Sequence, residues 1–364
     1  MAKRVRVDRW LFGVTLILVF IGLIMVFSAS AVVANQLYGT PYHFVERQFA
    51  WAVAGLLAMF VAMNIDYRKY KSPTVVFSFL AVTSALLVAV FFLDRSHNTH
   101  RWIRLWGLSF QPSELAKPAI ILFLAFFLES RTKLIKDWKH TLIPAVVPTV
   151  VFTVLIVLQP DLGTSMACCA ITAAVMLSAG MELKYIGYGL LASIVPLYIL
   201  IFRTAWRFKR ILAFLNPYAD PLGSGFHIIQ SMIAVGTGGV MGVGLMEGKQ
   251  KLFYLPEPQT DFIFAVIGEE WGLIGCVVIV AMFAFFCYRG LKVAMATRDN
   301  FARFLAVGIT SMVGIQAFFN ISVVLGLLPT KGIPLPFISY GGSSLFVTLA
   351  TVGVLLNITQ QTDY

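Results

Sequence analysis

The sequence predicts an all-α polytopic membrane protein that forms a single integral-membrane domain over residues 1–364. Hydrophobic residues make up 59% of the chain, charged residues make up 12%, and the mean hydropathy is +0.84. Soluble domains carry about 25% charged residues, so this composition excludes a water-soluble protein. At about 20 residues per membrane-spanning helix, the length accommodates roughly ten spans. Helices are expected because lipid cannot satisfy the hydrogen bonds of open backbone.

About ten apolar stretches have the length of a membrane span. The first is too long for the apolar part of a cleavable signal peptide, which runs about 7–15 residues, so it is interpreted as a span. The second is short and can extend outward through Arg47. The predicted helices cover residues 10–33, 49–64, 74–93, 113–128, 142–159, 163–181, 185–202, 261–287, 304–327 and 340–358.

The distribution of Lys and Arg predicts that both termini are cytoplasmic. With the N-terminus inside, the inner loops hold more than half of the 28 Lys and Arg residues, as the positive-inside rule requires. These inner cations are Lys3, Arg4, Arg6, Arg9, Arg68, Lys69, Lys71, Arg131, Lys133, Lys136, Lys139, Lys184, Arg289, Lys292, Arg298 and Arg303. The outer segments carry Arg47, Arg95, Arg101, Arg104, Arg203, Arg207, Lys209, Arg210, Lys249, Lys251 and Lys331.

A large extracytoplasmic loop, at about residues 204–260, is predicted between the seventh and eighth helices. Within it, residues 227–246 are uncharged and long enough to span the membrane, but they include several glycines. A full crossing there would move the basic residues of 289–303 to the outside, against the positive-inside rule. We therefore expect a re-entrant or interfacial element, since non-helical backbone is tolerated at membrane depth where protein covers it.

Polar and ionisable residues recur at the outer ends of the predicted spans. Charged groups inside a membrane are unfavourable unless paired, so they are candidates for function. Glu114 and Lys117 begin the fourth span on one helix face. Asp161 lies in the turn before the sixth span, Asp261 opens the eighth and Ser343 opens the tenth. Together these residues predict a site that faces the outer leaflet.

Each of these residues also has a structural interpretation. Glu114 and Lys117 can form a structural ion pair, and Asp161 can cap the sixth span. Asp261 can be a first-turn carboxylate that the helix dipole favours. The small residues around Ser343 can form a helix-packing interface rather than a ligand loop.

Two adjacent glutamates lie deeper in the eighth predicted span. Glu269 falls about 80° from Asp261 around the helix, whereas Glu270 falls on the opposite face. Glu269 is therefore the better candidate to extend a site at Asp261. Glu270 is expected to bond a neighbouring helix.

A basic and aromatic segment at residues 206–210 (WRFKR) lies in the outer loop. One interpretation is a membrane-surface anchor in which the long cations extend to the headgroups. The other is recognition of a multiply charged anion such as pyrophosphate, for which the arginine fork is suited. Nucleic acid is excluded as a partner because the cations are dispersed around spans rather than gathered on a soluble face. A phosphorylated lipid that enters from the outer leaflet is the natural ligand.

Five motifs resemble those of the SEDS family (shape, elongation, division and sporulation), and they cover nearly the whole chain in the family's order. They are residues 110–117 (FQPSELAK), 159–164 (QPDLGT), 214–225 (FLNPYADPLGSG), 254–265 (YLPEPQTDFIFA) and 335–344 (LPFISYGGSS). Residues 250–257 and 328–332 look more like the cell-division member of the family than the elongation member. Residues 332–337 are also elongation-like, so both subtypes stay open.

The resemblance implies a ten-span peptidoglycan glycosyltransferase of the bacterial cytoplasmic membrane that polymerises lipid II at its outer face. It implies a cognate class B penicillin-binding protein as partner, other divisome membrane proteins, and placement at the division septum. The family's essential loop aspartate matches Asp261. The family's polar cavity matches Glu114, Lys117, Asp161 and Arg210, with Arg47 and Arg207 as contributors. The chain departs from the family pattern at Gln259, Phe226-His227 and Lys209, which concerns auxiliary contacts.

These observations suggest a mechanism in which Asp261 is a general base and cations hold the pyrophosphate leaving group. Arg210, Arg207 and Lys117 are the candidates for that second role, in decreasing order, and Glu269 and Ser343 are further substrate-binding candidates. A divalent cation, Mg²⁺ or Mn²⁺, could bridge Asp261 and pyrophosphate, but no ligand spacing in the sequence demands one. Lipid II flipping without polymerisation is the rival function, and a non-enzymatic scaffold is a third.

Overall fold

The computed structural model describes residues 7–94, 100–105, 108–134, 137–252 and 254–362. Some residues used in the topology and motif predictions lie outside the described part, namely Lys3, Arg4, Arg6, Arg95, Lys136 and Phe253, and so does the side chain of Lys133. Within the described ranges the chain is almost entirely helical. The helices are α1 (Arg9–Tyr38), α2 (His43–Asn64), α3 (Pro73–Leu93), α4 (Pro112–Glu129), α5 (Ile143–Leu158), α6 (Leu162–Ser178), α7 (Leu183–Phe202), α8 (Ala205–Leu215), α9 (Phe226–Thr237), α10 (Ile263–Ala296), α11 (Asn300–Val324) and α12 (Gly342–Thr359).

The predicted all-α membrane fold is confirmed. In the described part of the chain, eight helices are long and apolar enough to cross a membrane: α1, α2, α3, α5 with the turn before it, α7, α10, α11 and α12. The other two predicted spans correspond to α4, whose 18 residues include Glu114, Lys117 and Glu129, and to α6, which has 17 residues. The second span begins at His43 and includes Arg47, as its extension predicted.

Helix boundaries follow local capping chemistry. Asp8 accepts hydrogen bonds from the backbone amides of the first turn of α1, at 3.0 and 3.1 Å, and Asp161 caps α6 in the same way at 3.1 Å. Proline opens α3 and α4 at Pro73 and Pro112, where its missing amide donor has no helical partner to lose. Gly39 ends α1 with φ of 71°, a left-handed conformation that glycine adopts without strain.

The helices pack as a bundle around α4, α11 and α12. The helix α2 runs along α12, α10 runs along α11, and α4 packs against α3, α6 and α11. Phe152, Phe264, Phe286, Phe301 and Phe304 are among the largest fully buried side chains. The helix α7 buries none of its residues and packs mainly against α8, so the outer loop begins beside a peripheral helix.

A short β-hairpin, which the sequence analysis did not predict, lies between α3 and α4. Its strands β1 (Ile103–Leu105) and β2 (Leu108–Phe110) are antiparallel, with Arg104 opposite Ser109. The second strand leads directly into the first turn of α4. The hairpin therefore fixes where α4 begins at the end of the bundle that carries Glu114.

The re-entrant or interfacial element predicted at residues 227–246 consists of α9 and a glycine-rich loop that fills a break in α10. The break occurs at Gly272, where φ is 64° and ψ is −161°. Leu273 cannot donate to the Glu269 carbonyl as a regular helix requires. Instead Leu273 donates to the Gly239 carbonyl at 2.9 Å, and the Glu269 carbonyl accepts from the Val243 amide at 3.0 Å. The residues that follow in each segment form a second pair of such bonds. The loop therefore supplies hydrogen-bond partners for the backbone groups that the break in α10 leaves unpaired.

Two buried carboxylates anchor the end of this loop. Glu270 bonds Ser28 of α1 at 2.6 and 2.8 Å, as predicted for the face opposite Asp261, and pairs with Lys251 at 2.5 Å. Glu269 accepts from the amide of Lys249 at 2.7 Å and from the following amide at 3.1 Å. The loop before Asp261 is thereby attached to both α1 and α10.

Candidate active site

A polar cavity of about 310 Å³ lies where the outer loop meets the start of α10. It brings together one carboxylate and three basic side chains from segments far apart in the sequence. Its lining residues are Trp206, Lys209, Arg210, Gly223, Ser224, His227, Asp261, Phe262, Thr330, Lys331 and Gly332. A concave site with convergent charged groups is the usual form of a small-ligand or substrate site.

Asp261 lies in the turn just before α10, with its side chain partly exposed toward the cavity. Burial raises the pKa of Asp261 to about 7, and the negative charges of Glu257 and Asp161 add to the rise. Arg101 and Arg210 oppose it, but burial outweighs both. A carboxyl group with a pKa near neutrality is suited to accept a proton at physiological pH, which is the requirement for a general base.

The helix α8 presents Arg210 and Lys209 to the cavity. The Arg210 guanidinium lies 5.0 Å from the centre of the Trp206 ring, and its Nη1 donates to the Thr330 carbonyl at 3.5 Å. Lys331 lies in the segment that follows α11, with its ammonium against Met166. Of the lining cations, Arg210 acts on the Asp261 charge together with Arg101, and the basic residues of the cavity suit an anionic ligand.

The turn at residues 217–225 shapes the wall beside these cations. The Asp220 carboxylate accepts from the Ser224 amide at 2.8 Å and from the Ser224 hydroxyl at 3.1 Å, and these bonds hold the pKa of Asp220 below its usual value. A Cβ at Gly225 would collide with the Pro217 carbonyl, so the turn requires glycine there. The motif 214–225 is therefore explained by the folding of this wall.

A second polar group forms at the same end of the bundle. Glu114 and Lys117 make an ion pair of 2.8 Å with side-chain exposures of 2% and 1%. Gln111 connects Asp161, at 3.2 Å, to Ser343, whose hydroxyl accepts the Gln111 amide at 3.3 Å. The structure thus brings together four predicted site residues, but none of them lines the cavity at Asp261.

Asp161 also has the structural role that its position allowed. Besides capping α6, its carboxylate accepts from the Thr164 hydroxyl at 2.8 Å. Arg101 donates to the carbonyls of Gln159 and Pro160 in the same turn, with the first bond at 2.9 Å. Several hydrogen bonds therefore hold the turn, and Asp161 acts on Asp261 through its charge.

Three other predicted substrate ligands lie outside the cavity lining. Arg207 is 8% exposed, and its Nη1 donates to the Leu200 carbonyl of α7 at 3.3 Å. Arg47 lies at the outer end of α2 beside the phenol of Tyr340. Both oxygens of Glu269 bond loop amides, so the structure does not extend the Asp261 site through it.

Lys209, Lys331 and His227 line the cavity but were not predicted as site residues. Lys331 was recognised as an outer cation, Lys209 as part of the basic segment 206–210 and as a departure from the family pattern, and His227 as a departure from that pattern. The sequence feature that could have marked Lys331 as a site residue is its place in residues 328–332, which resemble the family. That segment follows α11, and only the fold places it against a residue 70 positions earlier.

The cavity offers a divalent cation a single carboxylate ligand, that of Asp261. Among the residues that the structure describes, no group of three or more His, Cys, Asp or Glu side chains is placed to hold a metal ion. A divalent cation at Asp261 would need most of its oxygen ligands from a bound pyrophosphate. Divalent cation participation therefore stays a prediction.

The comparisons with known proteins agree with this architecture. The family model FTSW_RODA_SPOVE, described as cell cycle protein, matches residues 8–364. A probable peptidoglycan glycosyltransferase FtsW of Geobacter sp. (strain M18) is 47% identical over 346 residues, which cover 94% of each chain. Stage V sporulation protein E of Bacillus subtilis is 42% identical over 365 residues, covering 100% of this chain and 99% of that protein.

Solved structures give the same result. A chain from a study of structural coordination of polymerization and crosslinking by a peptidoglycan synthase complex superposes with a TM-score of 0.80 at 31% identity, covering 98% of both chains. The rod shape determining protein RodA of Thermus thermophilus superposes with a TM-score of 0.72 at 26% identity, covering 99% of both. Sequence, fold and motif order lead to one conclusion: this chain belongs to the FtsW/RodA/SpoVE family of cell cycle proteins, the SEDS family that its motifs resemble.

Proposed function

We propose that this chain is a peptidoglycan glycosyltransferase that polymerises lipid II into glycan strands at the outer face of the bacterial cytoplasmic membrane during septal wall synthesis. The observation that carries the proposal is the gathering of Asp261 with Lys209, Arg210 and Lys331 in one cavity. The reaction needs a base for the attacking sugar hydroxyl and positive charge for the lipid pyrophosphate that leaves. The cavity supplies both.

The placement of the chain ends supports an outward-facing cavity. The Asp8 amide donates to the Thr359 hydroxyl at 3.2 Å, and Arg289 pairs with Asp8 at 2.6 Å, so both ends of the described chain lie beside the C-terminal part of α10. Asp261 lies before the other end of α10, a helix of 34 residues with a break at Gly272. With cytoplasmic termini, as the inner cations predict, the cavity faces the outer leaflet.

Chain extension at this site is a displacement at an anomeric carbon. The hydroxyl oxygen of the acceptor sugar forms a bond to the anomeric carbon of the donor while the bond from that carbon to the pyrophosphate oxygen breaks. Asp261 takes the hydroxyl proton, and the pyrophosphate leaves with the electron pair. Arg210, Lys209 and Lys331 hold the negative charge that develops on it. A general base contributes about 10²–10⁴-fold to such a step.

A class B penicillin-binding protein is the proposed partner, together with other divisome membrane proteins. The support is the similarity to a chain of a peptidoglycan synthase complex in which polymerization and crosslinking are coordinated. The similarity to FtsW proteins supports the division subtype and septal placement over elongation. Glycan strands made by this chain would then be the substrate for crosslinking by the partner.

Purified protein in proteoliposomes with labelled lipid II and the cognate penicillin-binding protein tests the proposal. The native chain should form glycan polymer, and Asp261→Asn should not. Asp66→Asn is the matched control, because Asp66 accepts the Arg68 amide at 3.0 Å at the inner end of α2 and asparagine can make the same cap. Lipid II translocation without polymer would support the flippase function instead, and full polymer from folded Asp261→Asn would refute the base assignment.

A further inference from the structure

Asn320, near the end of α11, donates both side-chain N–H groups to backbone carbonyls that border the cavity. Its Nδ2 lies 2.8 Å from the Asp261 carbonyl oxygen and 2.8 Å from the Ile333 carbonyl oxygen. Both partners can only accept, so the contacting atom is the amide nitrogen and the orientation of the side chain is determined. The side chain is 2% exposed. A single amide therefore connects two separate segments of the chain.

These two segments lie side by side in the lining of the cavity. One carries Asp261, and the other carries Lys331 and Gly332 next to Ile333. They approach closely, because a Cβ at Gly332 would lie 2.8 Å from the Asp261 Oδ2. The distance between the Asp261 carboxylate and the segment that carries Lys331 thus depends on the contacts that hold the two backbones together.

The backbone before Asp261 is already fixed from another direction. The Gln259 carbonyl accepts from the Tyr340 amide at 2.8 Å, and the Thr260 carbonyl accepts from the Ser339 hydroxyl at 2.6 Å. The helical bonds of α10 begin one residue after Asp261, at the Phe262 carbonyl. Asn320 bonds the carbonyl of Asp261 itself, which lies between these two fixed points.

The chemistry of Asn320 fits this task better than a role in helix packing. Its Oδ1 is buried and has no hydrogen-bond partner among the described residues. An unpaired buried acceptor is unfavourable, and a leucine of similar size would avoid it. Aspartate, of the same shape, would present two acceptors to two carbonyl oxygens. Among these alternatives only asparagine offers two donors on one nitrogen.

We propose that Asn320 is a positioning residue for the transfer reaction, which holds the Asp261 peptide and the 331–333 wall at the separation that the reaction requires. The predicted effect on catalysis rests on the proposed function, whereas the bridging of the two segments by Asn320 does not. Misplacement of a reacting group by about 1 Å can lower a rate about 10²-fold.

The test compares Asn320→Leu and Asn320→Asp with Asn357→Leu in the full-length protein. Asn357 is the matched control: it is a buried asparagine that also bonds two backbone groups, the Tyr67 amide at 2.9 Å and the Met63 carbonyl at 2.8 Å, at the opposite end of the bundle. Each variant is assayed for lipid II polymerisation at matched folded fraction, determined by thermal unfolding. Amide hydrogen exchange is measured for peptides that cover residues 257–262 and 330–335.

Both Asn320 variants should lower kcat about 10²-fold with little change in KM, and should speed exchange in both peptides together. Asn357→Leu should destabilise the fold without either effect. Native kcat in folded Asn320→Leu, or exchange no faster than in Asn357→Leu, would overturn the positioning role. If the native chain itself makes no polymer, the proposed function fails, and the exchange measurement alone decides whether Asn320 joins the two segments.

Discussion

Replacing Asp261 by asparagine should stabilise the folded protein above neutral pH while removing its activity. The structure raises the pKa of this carboxyl group from 3.8 to about 7, chiefly through burial. Each pKa unit corresponds to about 1.4 kcal/mol, so the charged carboxylate destabilises the folded state by up to about 4 kcal/mol. Asparagine has nearly the same shape and carries no charge, so Asp261→Asn removes this destabilisation.

The sign of the pH dependence follows from proton binding. Between about pH 4 and pH 7 the folded chain holds a proton on Asp261 that the unfolded chain has lost. Stability that is present in acid is therefore lost as the pH rises through about 7. Asp261→Asn lacks this titrating carboxyl group, so the difference in stability between the variant and the native chain should grow from pH 4 to pH 7 and then stay constant.

Thermal unfolding of the purified protein, followed by the fluorescence of its 7 tryptophans, measures this difference. For 364 residues, about 4 kcal/mol corresponds to a rise in Tm of about 5 °C. Asp66→Asn, at the inner end of α2, is measured alongside as a control for the loss of a carboxylate far from the cavity. A difference for Asp261→Asn that is constant from pH 4 to pH 9, or a loss of stability at pH 9, would refute the argument that burial controls Asp261.

Three further predictions concern the groups around the cavity and the loop. Arg210→Ala should lower kcat/KM for lipid II about 10²-fold in steady-state assays, because it removes a donor to pyrophosphate, and unchanged kcat/KM would contradict that role. Gly332→Ala should lower kcat without unfolding, since its Cβ would press on Asp261 at 2.8 Å, whereas native kcat would show that the wall can yield. Lys251→Met should destabilise the fold by about 3–5 kcal/mol in thermal unfolding, because Glu270 is left buried and unpaired, and the double variant with Glu270→Gln should recover much of this; equal losses in both would contradict the pairing.

The helices could be predicted because each apolar stretch is a local property of the sequence. The same is true of Glu114 and Lys117, whose spacing already placed them on one helix face, where they form an ion pair. The helix α10 continues to Ala296, beyond the apolar stretch predicted to end near residue 287. Helical backbone continues past the membrane surface wherever its own hydrogen bonds persist.

The unpredicted features depend on contacts between distant segments. The break in α10 needs loop carbonyls such as that of Gly239, more than thirty residues before Leu273, and periodicity cannot reveal such a partner. Lys331 and Asn320 belong to segments far from Asp261 in the sequence, and only the fold places them beside it. Glu269 was assigned to the site from its helix angle alone, but loop amides bond both of its carboxylate oxygens.

The pH dependence of lipid II polymerisation tests the central claim most directly. If Asp261 is the base in a buried, cation-lined cavity, the initial rate of the native chain should rise with pH through an apparent pKa of about 7. Folded Asp261→Asn should be about 10²–10⁴-fold slower at every pH and lose that dependence. A native rate that does not change between pH 5 and pH 9, or an Asp261→Asn protein with the native profile, would contradict the account.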